Sequence, residues 1–206
     1  MKNKEIVIIG YSGHSYGCLE IALNQGISII GYYDIEEKNL NPYNLKYLGE
    51  EREIDQDYKP FIAIGDNIIR NKIYEKLNSK NIFLETILIH SKTTISNSSL
   101  IQKQTLVSAG VIINPLVIIN KGCIINTGAI LEHECYIGSF SHIGPGSVLC
   151  GNVTVGDDCF IGANSTIKEG VKIGDNVVIG AGAVIINDIP NNVTVVGNPG
   201  KIIIKK

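Results

Sequence analysis

The 206-residue sequence contains no tryptophan, a single methionine and four phenylalanines. Leucine is far scarcer than isoleucine, and charged residues make up only 18%. A helical bundle draws on Leu, Ala, Glu and Lys, so these shortages argue against one. The excess of Ile, together with 22 glycines, favours β structure with many turns. No apolar run reaches the roughly 18–20 residues of a membrane span. The most apolar stretch, Val177–Ile186, is broken by Gly180 and Gly182. There is no basic excess either: residues 1–94 carry 11 basic and 13 acidic side chains, and residues 95–206 carry 7 of each. Binding to a nucleic-acid backbone is therefore not expected. Disorder is excluded by 44% apolar residues at a net charge of −2. The opening MKNKEIVIIGYSG has neither the long apolar core nor the small-residue cleavage site of a signal peptide. Five cysteines, an odd number, suggest reduced thiols and a cytoplasmic location.

The second half is filled by a repeat. Steps of six from Ile95 to Ile179 land fifteen times in succession on Ile, Leu or Val. Four residues after each anchor stands a small or β-branched residue, such as Thr105, Cys123, Ala129, Ser141 or Val177. A period of six fits neither a helix nor a plain alternating strand. It fits a parallel β-helix, in which the anchor fills the interior and the small residue lies beneath a corner. Gly, Asn and Asp crowd the remaining positions because corners need a permissive backbone. Three hexads make one triangular coil, so fifteen make about five coils. Cys123, Cys135 and Cys159 take the small inward position, which marks them as packing residues. Beyond Ile185 the period dissolves, and VVGNPGKIII reads as a turn and strand closing the last coil's open edge.

The first half reads as a small α/β domain. EIVII at 5–9, SIIGYY at 28–33 and PFIAIG at 60–65 read as strands, and FLETILIH at 83–90 as a fourth. An amphipathic stretch follows Gly10–Gly17, and residues 35–59 read as loop. Asp66 is placed to cap a helix on which Ile69, Ile73 and Leu77 recur at four-residue spacing. The order predicts a small, doubly wound, Rossmann-like parallel sheet over 1–90, followed by an all-β parallel β-helix over 91–206. Ligands of such sheets sit beyond the carboxyl ends of the strands. Ser12, Gly13, His14, Asp34 and Gly65 arrive there. GYSGHSYG lacks the full G-x-G-x-x-G pattern, which disfavours a nicotinamide oxidoreductase. A tight strand–helix turn without ligand accounts for it as well. A mononucleotide or nucleotide sugar fits a domain of this size.

Of four histidines, His133 lies between Glu132 and Glu134, a carboxylate setting suited to a general base. His142 follows at half a coil's distance, so the two rings of one chain should not face each other. Joint action would need two chains side by side, with sites at their interface. His90 reads as a packing or hydrogen-bonding residue at the junction. A zinc site on such a helix needs three histidines, and the repeat supplies two, so no metal is expected.

The GxSGH turn at Gly10–His14, Asn126-Thr127 followed by Glu132-His133-Glu134, and His142 together resemble a known group. They are similar to the hexapeptide-repeat sugar acetyltransferases of the sialic-acid and bacillosamine pathways, most of all to UDP-4-amino-sugar N-acetyltransferases. The likeness includes IAIGDNIIRNKIY at 62–74 and FSHIGPG at 140–146. The resemblance implies a left-handed coil, a homotrimer and direct acetyl transfer from acetyl-CoA to a nucleotide-linked amino sugar. It implies that His133 is the general base, Glu134 raises its basicity and Asn126 shapes the site. His142, Gly151, Ala163 and Ala181 would meet acetyl-CoA. Ser12, Gly13, His14, Asp34 and Gly65 would hold the nucleotide sugar. One departure concerns the nucleotide: the group has two acidic residues after the second strand, whereas Ile35 follows Asp34 here. The alternatives are O-acetylation of sialic acid or a related sugar, N-acetylation of GDP-perosamine, and a non-catalytic nucleotide-sugar-binding scaffold.

Overall fold

A computed structural model describes residues 5–205. Residues 1–4 and Lys206, which begin and end the two predicted segments, lie outside the described residues. The N-terminal region contains β1 (Glu5–Ile9), α1 (Gly13–Asn24), β2 (Ser28–Tyr33), β3 (Pro60–Ile62) and α2 (Asn67–Ser79). The sheet is parallel in the order β2-β1-β3. The predicted fourth strand does not join it. Leu88–Ile89 pairs instead with Leu106–Val107 and opens the β-helix. Two apolar residues cannot reveal from their own identity which sheet they will join.

The β-helix has three faces of two-residue strands. The first face runs from Leu88–Ile89 to Val178–Ile179, and the second from Thr94–Ile95 to Val184–Ile185. The third runs from Leu100–Ile101 to Lys172–Ile173. Partners stand one coil apart, as in Ile124 with His142 and Ile125 with Ile143. The first face carries six of these short strands, so the solenoid makes about six turns rather than five. The repeat extends past both ends of the fifteen anchors, to Ile89 and Ile185. Val193–Val196 then joins the first face, and Lys201–Lys205 folds back on it antiparallel, giving the predicted closing hairpin.

The anchors form one continuous interior from Val107 to Ile185. The small position contributes more than a fit. Cys123 Sγ donates to the Gly138 carbonyl (3.0 Å), Cys135 Sγ to Cys150 (3.2 Å) and Cys159 Sγ to Gly174 (2.9 Å). Ser141 and Ser147 hydroxyls donate in the same i to i+15 pattern, to Gly156 and Gly162. These bonds help to satisfy the corner carbonyls, of which Gly138 and Gly162 also accept from the Ser141 and Ser165 amides. Burial pushes the thiol of Cys123 up to about 12 and those of Cys135 and Cys159 up to about 11. At neutral pH they are protonated packing groups.

The N-terminal region sits on the first face. The outward residues Leu88, Leu106 and Ile124 are buried with Tyr11, Leu19 and Ala22. The other side of the small sheet, through Val7, Ile9 and Ile62, packs with Tyr74, Leu77 and Phe140. On α2 the buried residues are Asn67, Arg70, Tyr74 and Leu77, at i, i+3, i+7 and i+10. The predicted apolar stripe holds at Leu77 and partly at Ile73, but its first member faces away. Ile69 is 49% exposed and, with Ile73, borders a cavity. Among the described residues no helix is long and apolar enough to cross a membrane.

Candidate active site

Two clusters emerge, at different corners of the β-helix. The first is His133 with Glu134 and Gly151. His133 and Glu134 occupy the turn after the second-face strand Ile130–Leu131. His133 Nδ1 and Glu134 Oε2 are 3.0 Å apart, and both side chains are about half exposed. The carboxylate fixes the ring's tautomer: the proton lies on Nδ1 and the Nε2 lone pair is free. Glu134 adopts a left-handed backbone (φ +62), and its amide donates to the Pro115 carbonyl. The same left-handed backbone recurs at the equivalent corner position of other hexads, as at Leu116, Phe140, Asn152 and Asp158, so it belongs to the coil. Gly151 lies one coil further on, at the same corner. A Cβ there would sit 2.5 Å from His133 Cε1 and Nε2, so its absence is what gives the ring its seat.

The second cluster is at the seam between the N-terminal region and the first face. His142 stands next in the outward column after Leu106 and Ile124, and is 8% exposed. Asn126 Nδ2 donates to His142 Nε2 (3.1 Å), while Asn126 Oδ1 accepts from the Thr127 amide. The His142 ring packs edge-on against Phe160, with centroids 5.0 Å apart, and lies 6.4 Å from the ring of His14. A Cβ on Gly65 would contact His14 at 3.6 Å. His14, Gly65, His142 and Asn126 thus form one neighbourhood, although its two histidines come from opposite halves of the chain. Ala163 and Ala181 stack one coil apart at the corner that follows Asn126, where the Gly182 amide donates to the Ala163 carbonyl.

Both rings are held neutral. Desolvation, then the positive charge of Arg70, lowers His14 to about 4. Desolvation, Arg70 and His14 lower His142 to about 3, with the nearby Gly65 backbone pulling weakly the other way. In the unfolded chain these rings titrate near about 6.5. Folded-state values below that make the stabilisation complete above about pH 6.5 and lost as pH falls toward 4 and then 3. Each ring should contribute a slope of up to about 1.4 kcal/mol per pH unit in that window. Thermal unfolding between pH 7.5 and 4.5 should show the loss, and His142→Gln should flatten it. An equal slope in the variant would refute the assignment to this ring.

At the carboxyl end of the small sheet, a cleft of about 630 Å³ is lined by Tyr11, Ser12, Gly13 and Lys38 among others. An adjoining one of about 450 Å³ is bordered by Ser12, Asp34, Ile69 and Ile73. Asp34 is partly committed already: its oxygens accept from the Tyr11 amide (2.8 Å) and the Ile35 amide (2.7 Å), and pair with Lys38 Nζ (3.1 Å). It braces the mouth of the cleft: Oδ1 is shared by the Ile35 amide and Lys38, and Oδ2, bound by the Tyr11 amide, keeps a second acceptor site. Sequence reasoning misses Ile69 and Ile73 as cleft residues, because apolar residues at helical spacing read as a core stripe. Among the described residues no three His, Cys, Asp or Glu side chains converge as a metal site.

Comparison with known proteins agrees with this architecture. Residues 5–77 match the PglD N-terminal domain, and residues 152–186 match the hexapeptide repeat of succinyl-transferase. PerB of Caulobacter crescentus, solved with CoA and GDP-perosamine, is 33% identical over 97% of each chain, with a TM-score of 0.90. The acetyltransferase domain of PglB from Neisseria gonorrhoeae, solved with acetyl coenzyme A, is 29% identical. That match covers 98% of this chain and 100% of the other, with a TM-score of 0.89. WeeI from Acinetobacter baumannii, 22% identical with a TM-score of 0.84, shares the fold over 97% of this chain and 100% of its own. The chain belongs to the hexapeptide-repeat sugar acetyltransferases that carry a PglD-type N-terminal domain.

Proposed function

We propose that the protein transfers the acetyl group of acetyl-CoA to the 4-amino group of a nucleotide-linked amino-deoxysugar, as in a UDP-4-amino-4,6-dideoxy-N-acetylhexosamine. The observation that carries this reading is His133, oriented by Glu134 and seated on Gly151. The free Nε2 takes a proton from the sugar amine as its nitrogen attacks the thioester carbonyl. The Glu134 carboxylate stabilises the imidazolium that forms. The Gly151 amide, which donates to no protein group among the described residues, is available to the oxyanion. Collapse of the tetrahedral intermediate breaks the C–S bond. The thiolate takes the proton back from His133, leaving an amide and CoA thiol.

The nucleotide lies in the clefts bordered by Ser12, Gly13 and Asp34, and its sugar reaches the seam where His14 and Gly65 stand. The CoA arm follows the corner of Ala163 and Ala181, near His142. That corner and His133 lie at opposite ends of the second face, so a whole site takes His133 from one chain and the Ala163 corner from another. A homotrimer supplies this arrangement at each interface. Five free thiols suit the cytoplasm, where acetyl-CoA is made. GDP-linked 4-amino sugars are the second reading, favoured by the likeness to PerB.

The test is thiol release from acetyl-CoA with UDP-, GDP- and dTDP-linked 4-amino sugars, run beside free and CMP-linked sialic acid. Release with one of the amines is expected. Release with sialic acid alone would replace N-acetylation by O-acetylation, and release with none would favour a binding scaffold. Gly151→Ala should lower kcat by about 10-fold or more, because its Cβ displaces the His133 ring. Its melting temperature should hardly move, since the displaced ring is half exposed. A normal kcat would remove Gly151 from the site.

A further inference from the structure

Arg70 is among the most deeply buried side chains, at 2% exposure, and among the described residues it forms no ion pair. All five of its N–H donors are used. Nε donates to the Gly122 carbonyl (2.7 Å), and Nη1 to those of Ile64 (2.9 Å) and Gly65 (3.1 Å). Nη2 donates to Asn67 Oδ1 (2.8 Å) and to the Phe140 carbonyl (2.7 Å). Gly122 and Phe140 are corners of successive coils. A Cβ on Gly122 would strike the Phe140 ring, so the glycine lets the corner close around the guanidinium. Asn67 extends the seam to a third coil through Nδ2 and the Cys159 carbonyl (2.8 Å).

A buried cation without a carboxylate is an expensive fastener, and an apolar side chain of similar volume would join two surfaces at lower cost. A planar fork supplies what an apolar group cannot: fixed directions for several carbonyls at once. Those carbonyls belong to two pieces of the proposed site. One is the Ile64–Gly65 turn beside His14. The other is Phe140, which leads through Ser141 into His142. We infer that Arg70 is a positioning residue for acetyl transfer: it sets the sugar-holding turn of the N-terminal region in register with the His142–Asn126 end of the β-helix. The inference rests on the proposed function and adds a residue to it. The charge of Arg70 also helps to keep both adjacent rings neutral.

The test separates position from stability. Arg70→Lys keeps the charge and loses the fork, and Asn67→Ala removes one acceptor while leaving Arg70 in place. Asn71→Ala is the control: Asn71 crosses the same seam to Asp158 (3.2 and 3.3 Å) and touches neither turn. Calorimetry with UDP or GDP, and separately with CoA, reads binding; turnover reads kcat. Arg70→Lys should raise the nucleotide-sugar KM and lower kcat, each by about 10-fold or more, with a clearly smaller loss of CoA affinity, because Ala163 and Ala181 keep their place while only the His142 end shifts. Asn67→Ala should show the same split, smaller. Asn71→Ala should lower the melting temperature with neither constant changed. If Arg70→Lys does not fold, Asn67→Ala decides. Equal changes for both substrates, or a lower melting temperature alone, would overturn the inference. A wild-type protein that binds nucleotide and CoA but transfers no acetyl would instead defeat the proposed function; the binding split would still be readable.

Discussion

Replacing His133 by Ala is expected to lower kcat by at least about 10²-fold, the usual cost of losing a general base. The amine of a sugar is partly protonated near neutral pH, so its attack needs a proton acceptor. Glu134 is bound to the ring it would have to replace. Cys123, Cys135 and Cys159 are not substitutes either, since burial keeps them protonated inside the coil. Because the His133 side chain is 52% exposed, its removal leaves no core cavity and should hardly alter the melting temperature. His133→Gln sharpens the result: it keeps bulk and a hydrogen-bond donor but cannot take up a proton. It should be as slow as the alanine variant. Near-normal turnover by either folded protein would sink the assignment.

Truncating an anchor in the middle of the β-helix should have the largest effect on stability. Ile143 is fully buried, with Ile125 on one side and Ile161 on the other in the same column. Ile143→Ala removes three carbons from an interior that cannot close in, because backbone hydrogen bonds hold the coils at fixed spacing. The cost should be about 2–5 kcal/mol, measured as a lowered denaturation midpoint in urea. The same change at Ile95 or Ile101, which are partly buried at the first turns, should cost well under half as much. Equal losses at Ile143 and Ile95 would contradict a solenoid core whose filling grows from its end to its middle. Activity should follow stability at Ile143, since His142 belongs to the same two-residue strand.

Much of the β-helix can be read directly, because its logic is local. A two-residue strand points one side chain in and the next out, and a corner every six residues resets the pattern. Anchors, inward cysteines and the half-coil separation of His133 from His142 therefore follow from spacing. The same arithmetic puts Gly151 on His133 and Gly122 under Phe140, each pair standing one coil apart. The N-terminal region is less legible. Its strands β1, β2 and β3 and the Asp66 cap, which accepts from the Ile69 amide (2.9 Å), show in local composition. Leu88–Ile89 does not reveal its partner, because an apolar strand fits either sheet.

Local pattern alone therefore accounts for the β-helix, its interior and the His133–Glu134–Gly151 cluster. The seam arises only on folding. Whether an outward residue of the first face is wet or buried depends on what packs over it, and that comes from far along the chain. Arg70 meets Gly122 across 52 residues, and Asn67 meets Cys159 across 92. Burial converts His142 from an outward strand residue into a neutral ring beside His14. It also makes the polar side of α2, rather than its isoleucines, the face that holds the two halves together. No periodicity encodes such contacts, because the pattern of a helix or of the solenoid reports which of its own residues face inward and not which face of one packs on the other.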